Sequence, residues 1–253
     1  MFNIDKYLQD IETYVLGQPI ISFPTADSTN KIAWELYKVG KAQHGTVIIT
    51  DHQTAGKGRH GQEWYSSPDL DLTFSIILLP KLQTEEMGLL SLLGGLSVTE
   101  AIQQSIDLDV QLKWPNDVII SRKKLAGILT ESRVIDSKLV VVAGIGININ
   151  DKIENYPKAL QSTVTSILQE TGIIVEREYF LSSILKRMEY YLLNTSDIVP
   201  KWLENCFHID QVIKFHSGQS LIEGKFMGIS KLGYAIIESN GTETIYPVGE
   251  ISL

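Results

Sequence analysis

Residues 53–64 read QTAGKGRHGQEW, with Gly56, Gly58 and Gly61 set between Lys57, Arg59 and His60. Glycine lets a backbone approach a ligand closely and turn its N–H groups toward an anion. Cations between the glycines add charge-assisted hydrogen bonds to phosphate or carboxylate. The spacing matches G-x-G-x-x-G in form, but a dinucleotide fingerprint opens a helix at once. Here Ser66, Ser67 and Pro68 follow, which reads as loop. A Walker loop needs Lys-Ser or Lys-Thr after Gly61, where Gln62 and Glu63 stand. The downstream motifs of a protein kinase are missing too. Taken alone, the segment reads equally well as an incidentally charged surface loop.

Three more segments carry related chemistry. In Lys113-Trp114-Pro115-Asn116-Asp117, an amide and a carboxylate follow a strand on a rigid turn. That pair suits a Mg²⁺ ion or a nucleotide hydroxyl, or else a local Asx-turn. Lys124 opens the apolar run Leu125-Ala126-Gly127-Ile128, next to the solvated turn residues Arg122 and Lys123. Gly144 and Gly146 interrupt the strand Leu139–Ile149, which marks close approach by a ligand or tight sheet packing. Together the segments supply a cationic loop, a carboxylate, a lysine and open backbone. That inventory serves an anionic ligand plus a magnesium nucleotide.

Several elements must position these groups. Asp27-Ser28-Thr29-Asn30 is a run of N-cap residues before Ile32, Ala33, Leu36 and Tyr37, with Gly40 as the stop. The helix it predicts would point free N–H donors and a positive dipole end at a ligand. Strands are predicted at 46–50, 72–79, 110–114 and 139–149, with a hairpin over 118–129. Helices are predicted at Ile4–Leu16, Met87–Ile106 and Tyr179–Leu193. From His208 onward, short β-type runs alternate with turn signals, as in a small SH3-like barrel. The expected fold is therefore α+β: a mixed-sheet catalytic domain over residues 1–207 and a barrel over 208–253.

Composition sets outer limits. With 22 Lys+Arg against 30 Asp+Glu, the net charge of −8 argues against a DNA- or RNA-coating protein. Cys206 is the only cysteine, which excludes an internal disulfide and a cysteine-based zinc cluster. Residues 1–14 carry Asp5, Lys6, Asp10 and Glu12, unlike a signal peptide, and the charge-free stretch Met87–Thr99 is too short to span a bilayer. A cytoplasmic protein with no membrane partner is expected.

The order of five motifs resembles the biotin protein ligases, also called biotin–[acetyl-CoA-carboxylase] ligases. The motifs are Asp27-Ser28-Thr29-Asn30, the glycine loop, Lys113–Asp117, Lys124–Leu129 and Gly144–Asn148, and the likeness extends into the terminal barrel. The resemblance implies ATP-dependent activation of biotin as biotinyl-5′-AMP. Transfer to a lysine of a carboxylase's biotin carboxyl carrier protein or domain then follows. It implies a biotin site of Ser28, Thr29, Asn30, Gln53, Lys57, Gly58, Arg59, Lys124, Gly127, Gly144 and Gly146. It implies an ATP/adenylate site of Arg59, His60, Trp64, Asn116, Asp117, Lys124 and Asn148. Lys124 and Arg59 would be catalytic, Asp117 would hold Mg²⁺, and a loop mobile when empty would close over the adenylate. A fixed cation about 4 Å from a phosphate is worth about 4 kcal/mol at an effective dielectric near 20, so both cations suit a transition state gathering negative charge. Trp114 and the Gly144–Ile149 strand are candidate walls for biotin.

Relatives that act as repressors carry an N-terminal helix-turn-helix. Only 27 residues precede Ser28, so the monofunctional class, without DNA as a partner, is expected. Family members commonly dimerise, which extends a homodimer to the expectations. A lipoate ligase or octanoyl transferase shares the architecture and is the alternative.

Overall fold

The computed structural model describes residues 1–218 and 220–252, apart from the side chains of Thr84 and Ser252. Gln219 and Leu253, both in the expected barrel, lie outside the described residues. The larger sheet contains β1 (Ile20–Phe23), β2 (Val47–Thr50), β3 (Leu72–Leu78), β4 (Gln111–Lys113), β5 (Asp117–Ile120), β6 (Lys123–Ile135) and β7 (Lys138–Ile147). Their order is β1-β2-β3-β7-β6-β5-β4, with β1 parallel to β2 and every other neighbour antiparallel. The helices are α1 (Ile4–Asp10), α2 (Thr29–Lys38), α3 (Gly88–Ser105), α4 (Ile167–Thr171), α5 (Arg177–Leu193) and α6 (Ile198–Glu204).

Strand alternation sends two sets of side chains to opposite faces. Val47, Ile49, Phe74, Ile76, Ala143, Ile145 and Ile147 join the main core with α3 and α5. Ile48, Ile77, Val140 and Val142 face Ala33 and Trp34 of α2 in a smaller cluster. One helix covers only part of that second face, so a strip of sheet beside it is left for other use.

The second sheet is antiparallel, in the order β11-β10-β9-β8-β12: β8 (Val212–Ser217), β9 (Ser220–Ile229), β10 (Ala235–Ser239), β11 (Thr242–Tyr246) and β12 (Glu250–Ser252). It docks through Trp114, which is 1% exposed, donates its indole N–H to the Gly233 carbonyl at 3.0 Å and packs on Phe215. Among the described residues no helix is long and apolar enough to cross a membrane.

Some expected bounds change. The first helix stops at Asp10 instead of Leu16, because the N–H groups of Tyr14, Val15 and Leu16 donate to the Glu189 carboxylate of α5. The hairpin strand expected to end near Leu129 continues to Ile135, since β7 pairs with it throughout. Short β1, α4 and α6 carry too few residues to show a period and were not foreseen.

His208 lies at the junction, 1% exposed, edge-on to Phe226 at 4.2 Å, with neither ring nitrogen hydrogen-bonded. Burial pushes its pKa down to about 3. The unfolded chain therefore takes up this proton below pH 6.5 and the folded chain does not, so stability falls as pH drops from 6.5 toward 3. Each pH unit in that window costs about 1.4 kcal/mol. Asp71, pushed up to about 7 by burial, works in the opposite direction. His208→Phe should therefore flatten the acid limb relative to the unsubstituted protein in urea melts from pH 7 to pH 4; equal slopes would exclude this account.

Candidate functional site

The uncovered strip of the large sheet is floored by small residues. Register aligns Thr73, Gly146, Gly127 and Asp117 across β3, β7, β6 and β5, and the next row aligns Ser75, Gly144 and Leu129. Side chains project into the space the glycines leave. A Cβ on Gly144 would overlap Asn30 Oδ1, and one on Gly146 would overlap the Trp64 indole. The result is a cavity of about 790 Å³ including its mouth.

One end is walled by the start of α2. Ser28 occupies the N-cap position, but its hydroxyl makes no cap bond and remains at the cavity. The Thr29 N–H donates to Gln53 Oε1 at 2.8 Å, and Ser75 Oγ lies 2.7 Å from Thr29 Oγ1 and 2.6 Å from Asn30 Oδ1. Asn30 Nδ2 is held by Glu131 at 2.9 Å, and Glu131 also accepts from Trp34 Nε1. This end is a relay of donors and acceptors, buried apart from the half-buried Glu131. The Thr29 N–H, one of the first-turn donors expected to be free for a ligand, is taken by Gln53.

The opposite end is cationic. Lys124 Nζ lies 2.6 Å from Asp117 Oδ1, and Lys113 Nζ lies 3.3 Å from Asp117 Oδ2. Lys113 and Asp117 are nearly buried, while a third of the Lys124 side chain reaches the open cavity. Asp117 thus clamps two lysines. Both carboxylate oxygens already face a cation, and no three His, Cys, Asp or Glu side chains cluster to hold a metal among the described residues. A Mg²⁺ that arrives on nucleotide phosphates needs no such protein cage.

The glycine loop takes a hairpin conformation. Gly58 N–H donates to Gln62, Gln62 to Arg59 and Trp64 to Gly56, closing a small hairpin. His60 and Gly61 take positive φ (53° and 79°), the turn that reverses the chain. Arg59 Nη1 donates to the Gly249 carbonyl at 3.2 Å and, more weakly, to Asn116 Oδ1 at 3.4 Å. Burial lowers its pKa, with the fields of Glu250 and Asp117 opposing that. Asn116 Nδ2 is anchored on the Ile128 carbonyl at 2.8 Å.

Ser28, Thr29, Asn30, Gln53, Lys57, Gly58, Arg59, Trp64, Asn116, Asp117, Lys124, Gly127, Gly144 and Gly146 all line this cavity. Two expected residues do not. His60 is exposed and lines the adjoining outer groove. Asn148 is 2% exposed beneath the site, donates to the carbonyls of Thr165 and Lys124, and keeps Oδ1 without a partner. It tethers residues 163–166 behind Lys124. Trp114, a candidate biotin wall, turns away into the barrel because its N–H finds Gly233 there. Sequence reasoning passed over Lys113, Thr73, Ser75 and Glu250. The Lys113–Asp117 spacing of four residues was a usable signal for the first.

The family model described as the Biotin/lipoate A/B protein ligase family matches residues 22–150. The bifunctional ligase/repressor BirA of Bacillus subtilis is 32% identical over 243 residues, covering 93% of this chain and 74% of that protein. A biotin–[acetyl-CoA-carboxylase] ligase of Mycobacterium tuberculosis is 31% identical over 161 residues, 62% of this chain and 58% of that one. Among solved structures, the biotin protein ligase of Aquifex aeolicus in complex with biotin and ATP superposes with a TM-score of 0.80 at 31% identity, covering 93% of this chain and 98% of its own. Geometry and likeness agree: the chain belongs to the biotin/lipoate A/B protein ligase family, on its biotin protein ligase branch.

Proposed function

We propose that the chain couples biotin to the α-phosphate of ATP and then passes the biotinyl group to a lysine of a biotin carboxyl carrier domain. One observation carries this reading: Arg59 and Lys124 line one cavity whose far end is a neutral polar relay. A ureido ring offers two N–H donors and a carbonyl, which suits Ser28, Thr29, Asn30 and Gln53. The acyl chain would run over the glycine floor toward the lysines. There the carboxylate oxygen attacks phosphorus, the bond to pyrophosphate breaks, and a mixed anhydride with AMP forms. Lys124 and Arg59 stabilise the charge that gathers on phosphate. Trp64, lying over Gly146 and 5.7 Å from the Lys124 ammonium, shields the anhydride from water. The unpartnered Trp64 Nε1 leaves one donor near this end for the nucleotide.

The lipoate alternative is disfavoured by the same relay, since a dithiolane ring has no groups to satisfy it. Incubating the protein with MgATP, a carrier domain and either biotin or lipoate tests the choice. The carrier's mass should rise by one biotinyl group with biotin alone. A gain only with lipoate would reverse the assignment.

A further inference from the structure

The cavity is lined by three carboxylates, and they are not equivalent. Asp117 holds two lysines. Glu63 belongs to the glycine-loop hairpin, where its backbone pairs with that of Lys57, and its side chain is exposed. Glu250 comes from β12 of the barrel, is half-buried, and forms no ion pair among the described residues. Its neighbour Gly249 is pinned to Arg59, which fixes the start of β12 against the loop. Pro247 and Val248, just before it, line a wider outer groove of about 1890 Å³. That groove shares Lys57, Arg59, Glu63, Pro115 and Ile128 with the inner cavity, so the two are continuous. Glu250 therefore lines the cationic end of the inner cavity, two residues beyond Val248 of the groove wall.

A protein-borne lysine must reach the anhydride from outside, and it comes as an ammonium. Lys57, Arg59, Lys113 and Lys124, which suit phosphate, repel it. An uncommitted carboxylate at the entrance answers both needs of the transfer step. We infer that Glu250 receives the acceptor lysine's ammonium and carries its protons away during amide formation. One proton leaves the ammonium before attack. The amine lone pair then bonds to the acyl carbon, the carbon–oxygen bond to AMP breaks, and AMP leaves with the electron pair. A second proton leaves the nitrogen once it bears positive charge, and both pass through Glu250 to solvent at the groove.

This inference rests on the proposed ligase reaction, and the two halves of that reaction separate them. Adenylation is read as biotin-dependent pyrophosphate exchange, and transfer as single-turnover loading of a carrier domain from preformed adenylate. Glu250→Gln should lose transfer by 10²-fold or more, the usual size of a proton-transfer contribution, and far more transfer than exchange. The pH dependence of the residual transfer should steepen toward high pH. Hydroxylamine, a nucleophile already neutral at pH 7, should form biotinyl hydroxamate with Glu250→Gln at close to the unsubstituted rate. Equal losses in both halves would place Glu250 behind Arg59 and overturn the inference, as would unchanged transfer. Absence of biotin-dependent exchange in the unsubstituted protein would instead overturn the ligase reading itself.

Discussion

Lys124→Ala should fold and yet lose biotin-dependent pyrophosphate exchange by 10²- to 10³-fold, the range seen when one preorganised charge-stabilising donor is removed. Lys124 lines the cavity, a third exposed and fixed on Asp117 at 2.6 Å. Loss of its ammonium leaves Asp117 still paired with Lys113 at 3.3 Å, so the carboxylate is not stranded. Circular dichroism and the melting midpoint should stay near those of the unsubstituted protein. Exchange within threefold of normal would remove Lys124 from the chemistry. A collapse of the fold would show that the Lys113–Asp117–Lys124 clamp is structural before it is catalytic.

Trp114→Ala should have the largest effect on stability, about 3–5 kcal/mol, as for other fully buried large aromatics. The indole fills the junction between sheets, and its N–H satisfies the Gly233 carbonyl, so truncation leaves both a void and an orphaned acceptor. The loss should concentrate at the junction. Hydrogen exchange in β8 and β12 should rise before exchange in β3 or β7. Because Gly249 holds Arg59, pyrophosphate exchange should fall even below the melting range. Urea titration and exchange mass spectrometry check both parts. A uniform rise across the two sheets would mean that the junction and the catalytic sheet unfold as one unit.

Much of the site was legible from residue type and order. The glycine loop, Lys124 and the strand glycines each broke a local pattern: cations between glycines, a lysine against an apolar run, missing side chains in a buried strand. Such departures mark positions where packing is not the selecting force. What stayed hidden depends on register and long-range contact. Thr73 and Ser75 look like ordinary strand residues until β3 is paired with β7, which sets them opposite Gly146 and Gly144. Trp114 sits in a motif with site residues, but strand alternation turns it to the other face. Asp117 reads in the sequence as a lone carboxylate after a turn, and its pairing with Lys113 and Lys124 needs their folded positions. The fold class followed from element texture, while short β1, α4 and α6 are set by tertiary packing.

The contact between Arg59 and the Gly249 carbonyl spans 190 positions of sequence. On the ribosome, the glycine loop emerges well before its anchor, which follows 190 positions later. A nascent chain can thus build its large sheet and its polar relay while the guanidinium still lacks its anchor.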